Sequence, residues 1–415
     1  MEDKLFQALH DVLKPRPPKR LAIAVSGGGD SVALLCLAAE YAQSFPIEIH
    51  AITVDHGLRP AAKDEVRTVT KLCGELGVSH HVEFWQNWSG SGNLMAQARA
   101  ARYDLMSNWA LANDIDTVAI AHTANDQAET MLMRLARGSG VDGLTGMMPR
   151  RIWQGITWLR PLLRAHRREL RTYLENRNVM WIEDPTNEDR DFERIRMRDV
   201  LNLLEPLGLT TDTLGDVAYN MSKAREALDW QTFLATRDLA KVSHGAIAID
   251  VRRYRTQPEE IARRMLVRAL AWVSGNTYAP RRTAVLTAID SIRDGRNVTL
   301  DGCHVVHAMD LIWVFREFNA VKGLTSMVGD SWDDRWTVEG PEDDDSLVVR
   351  ALGEDGLKQL ENWRKLDLPR EALASSPSVW EEDILIAAPV AGFGEGWTAE
   401  LEGGNDSFFA AILSH

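Results

Sequence analysis

The chain has 415 residues, 45% of them hydrophobic and 26% charged, with a formal net charge of −13. That length suggests two or three domains with ample chain for a real core. No apolar run approaches the ~20 residues of a membrane span, and the start, Met-Glu-Asp-Lys-Leu-Phe-Gln, lacks the basic-then-apolar pattern of a signal peptide.

Leu5 to Leu13 can form a short amphipathic helix, closed by the Pro-Arg-Pro-Pro linker at 15–18. Leu21 to Leu35 is the most informative stretch: an apolar run, then Ser26-Gly27-Gly28-Gly29-Asp30-Ser31, then a second apolar run. This reads as strand, loop and helix. Three glycines let the backbone turn tightly and aim several N–H groups at one anion, and the helix beginning near Asp30–Ser31 adds its positive end. Ser26 and Ser31 can donate hydroxyl hydrogen bonds to phosphate oxygens, and Asp30 can hold a magnesium ion beside them. The loop lacks the Gly-Lys-Ser/Thr ending of a Walker A motif and the offsets of G-x-G-x-x-G.

Ile47 to Val54 reads as a buried strand ending in Asp55-His56-Gly57-Leu58-Arg59-Pro60, followed by a helix over 61–77 and a strand over 79–85. Ser89 to Gly92 is a loop before a helix over 93–113; a fourth strand, 116–121, leads to His122-Thr123-Ala124-Asn125-Asp126-Gln127 and another helix. Alternating strands and helices predict an α/β fold, a doubly wound parallel sheet with helices on both faces. Such sheets bind ligands beyond the carboxyl ends of their strands, so the residues after three strands, 26–30, 55–59 and 122–126, should meet at one rim.

The middle changes character. A hairpin over 147–163 and a helix over 166–176 precede the turn Asp184-Pro185-Thr186-Asn187 and the run Phe192 to Arg198; residues 150–198 carry 12 arginines against 8 acids. A long helix over 211–239, two helices over 258–273 and 281–293, and strands over 298–315 follow. From Asp330 onward 20 acidic residues face 6 basic ones, among short strands rich in Trp, and the run Glu342–Asp345 is expected to be a solvated loop. Three domains are expected: residues 1–208 binding the nucleotide, a mostly helical domain over 209–322 for substrate, and a small acidic α+β domain over 330–415. The three cysteines, Cys36, Cys73 and Cys303, form no C-x-x-C pair and point to buried small hydrophobes in a reducing, cytoplasmic setting. Cys303-His304-Val305-Val306-His307 lacks a second cysteine pair and fits alternating strand burial better than zinc.

The Ser-Gly-Gly-x-Asp-Ser loop resembles that of the ATP-pyrophosphatase PP-loop superfamily. The stretch from His122 to Met147, with His-Thr-Ala-Asn-Asp-Gln-Ala-Glu-Thr, Arg-Gly-Ser-Gly and Gly-Leu-Thr-Gly-Met, resembles the signature of the tRNA(Ile)-lysidine synthases. Asp55 to Arg59, Asn93 through Tyr103, and Asp184 to Asn187 with its arginine cluster are similar to the same family. Thr123 stands where a second His is usual, Asn125 where an Asp is common, and Ile195 where an Asn is usual.

The resemblance implies ATP-dependent ligation of free L-lysine to C2 of the wobble cytidine of tRNA(Ile) with a CAU anticodon, through an adenylated cytidine, with ATP and Mg2+ as cofactors. It implies catalytic roles for Asp30, His122 and Asp126, with magnesium on Asp30. ATP would be held by residues 26–31, Asp55, His56, Arg99 and Arg102. Asp126 and Glu129, three apart on a helix, would take the lysine α-ammonium group, the alternative being a solvated acidic first turn. Arg194, Arg196 and Arg198 would meet tRNA phosphates, against a solvated basic face. The partners implied are tRNA and lysine, with no membrane and with a homodimer left open. Two other readings remain: a tRNA thiolase, which needs reactive cysteines or a cluster, and a nucleotide-binding RNA-binding protein without turnover.

Overall fold

The computed structural model describes residues 2–57, 62–85, 94–183, 193–276, 278–341, 346–361 and 363–413. Leu58 to Pro60, the Ser89–Gly92 loop, the Asp184–Asn187 turn with Phe192, and the Glu342–Asp345 run lie outside these residues. The chain divides into two units, Met1–Arg225 and Glu226–His415.

In the first unit the order is α1 (Glu2–Leu13), β1 (Arg20–Ala24), α2 (Gly29–Ser44), β2 (Glu48–Asp55), α3 (Ala62–Leu76), β3 (Ser79–Phe84), α4 (Leu94–Ala112), β4 (Thr117–Ala119) and α5 (Ala124–Ala136). A one-turn α6 (Val141–Leu144), the hairpin β5 (Arg150–Trp153) and β6 (Ile156–Leu159), α7 (Arg167–Asn176) and α8 (Glu193–Leu204) complete it. The six strands lie in the order β3-β2-β1-β4-β6-β5. All neighbours are parallel except the edge strand β5, which runs antiparallel to β6.

Both faces of the sheet's centre are covered, which is why β1 and β4 are buried without alternation. Leu21 and Ile23 pack under α2, α1 and α7 in one core, with Leu5, Leu9, Leu170 and Leu174. Ala22 and Ile52 face the other way, toward Tyr103, Met106 and Ala110 of α4. Helix α2 is buried continuously from Ser31 to Ala39, as expected of a helix apolar all round. Cys36 and Cys73 lie in the first of these cores.

The strand order places the site. The chain builds β1, β2 and β3 outward in one direction, then returns to lay β4 on the other side of β1, Ile23 pairing with both Ala51 and Ala119. The loops after β1 and β4 therefore diverge from a shared crevice, the switch point at which parallel sheets bind ligands.

In the second unit a five-stranded antiparallel sheet runs in the order β7 (Ala240–Ser243), β8 (Ala246–Asp250), β11 (Leu311–Arg316), β10 (Cys303–Ala308), β9 (Val298–Leu300). The helices Glu259–Ser274 and Arg282–Arg293 pack on it. Cys303 and Val305 point inward while His304 and Val306 are half-buried, the alternation of a strand. Beyond it, two further antiparallel sheets surround a core containing Trp332, Trp336, Trp380 and Trp397. The long helix Thr211–Leu239 and the two helices after it follow the sequence pattern closely, whereas the β7–β8 hairpin directly after the long helix was not anticipated. Among the described residues no helix is long and apolar enough to cross a membrane.

The glycine loop makes two distinguishable demands. Gly27 has φ +86 and a Cβ there would lie 2.7 Å from the Ile182 side chain, whereas Gly28, at φ −72, has nothing closer than 3.8 Å. Gly27→Ala should lower stability by roughly 1–2 kcal/mol, mostly through backbone strain, and Gly28→Ala by much less. Urea midpoints of the two variants compared with the parent check this; equal midpoints would contradict it.

Candidate active site

The loop is braced from within and from one side. Ser31 Oγ donates to Gly28 O at 2.9 Å and accepts from the Ser26 N–H at 3.1 Å. The Ile182 N–H donates to Gly27 O at 3.0 Å, tying the loop to the segment after α7. The Ser31 proton is thus spent on holding the loop, while Ser26 is exposed, with its hydroxyl 3.2 Å from Ser31 Oγ. The N-terminus of α2, with Gly28 at its cap, is presented to the crevice.

Asp30, in the first turn of α2, does not stand alone. Its Oδ2 accepts from Arg167 Nε at 3.3 Å; the same guanidinium reaches Asp126 Oδ1 through Nη2 at 2.5 Å and Glu129 Oε1 through Nη1 at 3.0 Å. The backbone N–H of Arg167 donates to Asn125 Oδ1 at 3.1 Å. One arginine, absent from the residues singled out in the sequence, therefore gathers three carboxylates from two helices. Burial pushes the Asp30 carboxyl up to about 6, with Arg167 opposing and Asp126 adding to the rise. Burial also works against ionised Asp126, but Arg167, Arg194 and the Thr123 N–H outweigh it and hold that carboxyl below its usual range. Among the described residues no three acidic, His or Cys side chains are spaced to enclose a metal by themselves.

Asp126 is fixed from its other side by helix capping. Thr123 is the N-cap of α5; its N–H and hydroxyl each donate to Asp126 Oδ2 at 2.8 Å, and its Oγ accepts from the Asp126 N–H at 3.4 Å. The departure from the family's usual His at 123 thus supplies a capping box, and Asn125 supplies an acceptor where no charge is required.

Glu129, 1% exposed, also draws in α8: Arg198 Nε donates to its Oε1 at 3.1 Å and Arg194 Nε lies 3.6 Å from its Oε2. Arg194 and Arg198 are one helical turn apart and share this face, whereas Arg196 is exposed on another. Of the three arginines grouped in the sequence, two therefore belong to the acidic cluster's surroundings.

His122 is buried where β4 ends. Arg160 Nε donates to its Nδ1 at 3.2 Å, and Arg160 Nη1 is anchored on Met148 O at 3.0 Å. An arginine only donates, so Nδ1 is the acceptor and the neutral ring carries its proton on Nε2. Burial, with the positive charges of Arg160, Arg194 and Arg99, depresses the imidazole to about 3 despite Asp126 nearby. His122 is thus held neutral, with Nδ1 occupied by Arg160.

The remaining candidate residues end or follow β2, or sit on α4. Asp55 Oδ1 accepts from the Gly57 N–H at 2.8 Å and so shapes its own turn. His56 meets Trp85 edge-on, 5.8 Å between centroids, and both its Nδ1 and Arg102 Nε are buried without a hydrogen-bond partner among the described residues. Arg99 lies against Tyr103, its Nη2 3.4 Å from the hydroxyl. Two buried polar nitrogens, one just beyond β2 and one on α4, are thus left to be satisfied from outside the described side chains.

Comparison with known proteins follows the same lines. The PP-loop domain family model matches residues 1–204. The tRNA(Ile)-lysidine synthase of Ruegeria pomeroyi is 47% identical over 411 residues, spanning 99% of this chain and 98% of its own. That of Wolbachia pipientis wMel is 33% identical, spanning 89% of this chain and 88% of its own. Among solved structures, the U34-tRNA thiolase NcsA from Methanococcus maripaludis aligns with a TM-score of 0.46 at 20% identity, over 53% of this chain and 76% of that one.

Arg160 and Arg167 were not separable in the sequence from the other arginines of the 150–198 stretch. If Arg160 sets the His122 tautomer, Arg160→Met removes both the donor at Nδ1 and a repelling charge, so the imidazole pKa should rise from its depressed value, with burial still holding it below the ordinary one. Turnover in the variant should then fall as pH drops through that new pKa, a loss the parent lacks because its ring stays neutral. The 15N shifts of His122 should show protonated Nε2 and bare Nδ1 in the parent, and in the variant a loss of that single tautomer with both nitrogens becoming protonated at a higher pH than in the parent. Identical spectra would remove Arg160 from this role.

Proposed function

The chain belongs to the tRNA(Ile)-lysidine synthase family, and we propose the following division of labour among its residues. The reaction ligates free L-lysine to C2 of the wobble cytidine of tRNA(Ile), at the expense of ATP. In the first step the C2 oxygen attacks the α-phosphorus and the α–β phosphoanhydride bond breaks, releasing diphosphate. In the second the neutral ε-amine of lysine attacks C2, the C2–O bond breaks, AMP leaves with that oxygen, and the amine loses a proton.

The loop N–H groups of residues 27–29 and the positive end of α2 receive the diphosphate portion. A Mg2+ ion, which normally takes one or two carboxylates and completes its shell with phosphates and water, fits a single half-exposed Asp30 better than an all-protein cage. When bound it offsets charge on the phosphates. His122, its proton held at Nε2, donates to a non-bridging oxygen of the α-phosphate as charge grows there. His56 and Arg102 offer their orphaned nitrogens to the nucleotide, with Arg99 beside them.

Asp126 and Glu129 take the α-ammonium group of lysine. Arg167 donates to one oxygen of each carboxylate, and Glu129 Oε2 is buried without a hydrogen-bond partner among the described residues, so lysine enters by sharing or displacing one guanidinium contact. The observation that carries this reading is the convergence of Asp30, Asp126 and Glu129 on one cation directly beside the glycine loop.

The thiolase reading loses ground on the cysteines. Burial pushes the Cys36 and Cys73 thiols up to about 11 each and Cys303 to about 12, so none is a ready thiolate. Incubating the protein with ATP, lysine and tRNA(Ile) bearing a CAU anticodon should yield lysidine, AMP and diphosphate, detected by mass spectrometry of nuclease digests. Asp30→Ala should cut diphosphate release at least a hundredfold while the protein stays folded. Full release with unaltered magnesium dependence would move the metal elsewhere.

A further inference from the structure

The signature from Arg134 to Met147 has no part in the chemistry above, yet it is held with care. Gln127 clamps the Met147 backbone in both directions, Nε2 donating to Met147 O at 3.0 Å and Oε1 accepting from its N–H at 2.7 Å. Gly146, at φ +67, leaves no space for a Cβ, which would fall 2.6 Å from the Gln127 amide. Arg134 Nη1 donates to both Gly143 O and Gly146 O, at 2.5 and 2.9 Å. These bonds fix one wall of an open basin of about 220 Å³, lined by Arg99, Thr130, Met133, Arg134, Arg137, Met147 and Arg194.

Four arginines from three helices and a helix end converge there, each anchored on one side. Arg134 rests on carbonyls, Arg137 Nη2 on Glu193 at 2.5 Å, Arg194 on Glu129 at 3.6 Å and Arg99 on Tyr103. An anchored guanidinium still has donors to give and loses little freedom in giving them. Two methionine side chains supply a soft apolar surface between the charges. The basin continues the face of α5 that begins at the acidic site: Asp126, Thr130, Met133 and Arg137 are spaced four, three and four apart, a run of about 16 Å along the helix. Arg194 touches both ends, pairing with Glu129 and lining the basin.

We propose that this basin seats a phosphodiester of the RNA next to the target cytidine, with the neighbouring base against Met133 and Met147. This rests on the reading of the chain as a tRNA ligase. A phosphate with an attached base satisfies the fork donors and the apolar surface together, whereas free diphosphate uses only the former and already has the glycine loop.

The test uses the full chain and tRNA(Ile) assembled with a single uncharged methylphosphonate at each linkage flanking the wobble cytidine in turn. With the parent protein one of these should weaken binding roughly ten-fold and make its salt dependence shallower by about 0.7 in log–log slope. Arg137→Gln, combined with Glu193→Gln so that no acid is left unpaired, should bind unmodified tRNA about ten-fold more weakly and show no further loss with that methylphosphonate. Arg137→Lys with Glu193 intact, which keeps the charge, guards against a folding failure and should retain part of the sensitivity to that linkage. Inhibition by diphosphate should be the same in all three proteins. A methylphosphonate penalty that persists in full in the double variant, or a loss of diphosphate inhibition with intact tRNA affinity, would overturn the proposal. Absence of lysidine formation by the parent would instead refute the reading on which it rests.

Discussion

The site depends on one ionic arrangement, the Arg167 guanidinium among Asp30, Asp126 and Glu129. Three carboxylates within reach of one another repel, and two of them are almost wholly buried: the Asp126 and Glu129 side chains are 9% and 1% exposed. Bringing such groups out of water costs several kcal/mol per ion unless each is paired and hydrogen-bonded. Arg167 makes the arrangement affordable because its planar fork addresses all three acids at once. A lysine there would offer only a point charge. The proposed chemistry builds on the same fact: a cluster already balanced by one cation is suited to exchanging it for others, an ammonium group or a divalent ion.

Much of this was legible before the structure. The run from Leu21 to Leu35 announces strand, anion loop and helix, because an apolar stretch, three glycines and a second apolar stretch admit few other readings. The alternation that follows implies a parallel sheet, and the rule for parallel sheets puts the loops after β1 and β4 at one crevice. Arg167 was hidden for a physical reason. It is one of twelve arginines between 150 and 198, and its partners lie 137 and about 40 residues away along the chain. One local signal was available. An arginine in the first turn of a helix opposes the helix dipole, and α7 begins with it; a rule broken locally marks a site supported from elsewhere.

Two other features turn on spacing. Arg194, Arg196 and Arg198 look like one cluster in a line of text, but on a helix residues four apart share a face and the residue between them does not. That is why Arg194 and Arg198 meet Glu129 while Arg196 is exposed. The β7–β8 hairpin follows a 29-residue helix with no intervening proline, and its strands are four and five residues long. The turn His244-Gly245, both residues at positive φ, was its one clear mark.

Helix α5 ties these parts together. Its N-terminal half carries Asp126 and Glu129 behind the capping threonine, its buried side packs in the unit's interior, and its C-terminal end carries Arg134 and Arg137. On the proposed reading a cation site and an anion basin are mounted on one helix, which suits a ligase that must bring ammonium and phosphate groups to the same base. If the acidic cluster is a cation-exchange site balanced by Arg167, replacing that arginine by Met should expose the imbalance directly. Thermal unfolding of Arg167→Met is the measurement, with MgCl2 or with NaCl of matched ionic strength. The account predicts a loss of roughly 3 kcal/mol or more in NaCl, or several degrees in midpoint, with magnesium restoring much of it in the variant and little affecting the parent. A variant that melts with the parent, or that magnesium and sodium stabilise equally, would contradict it.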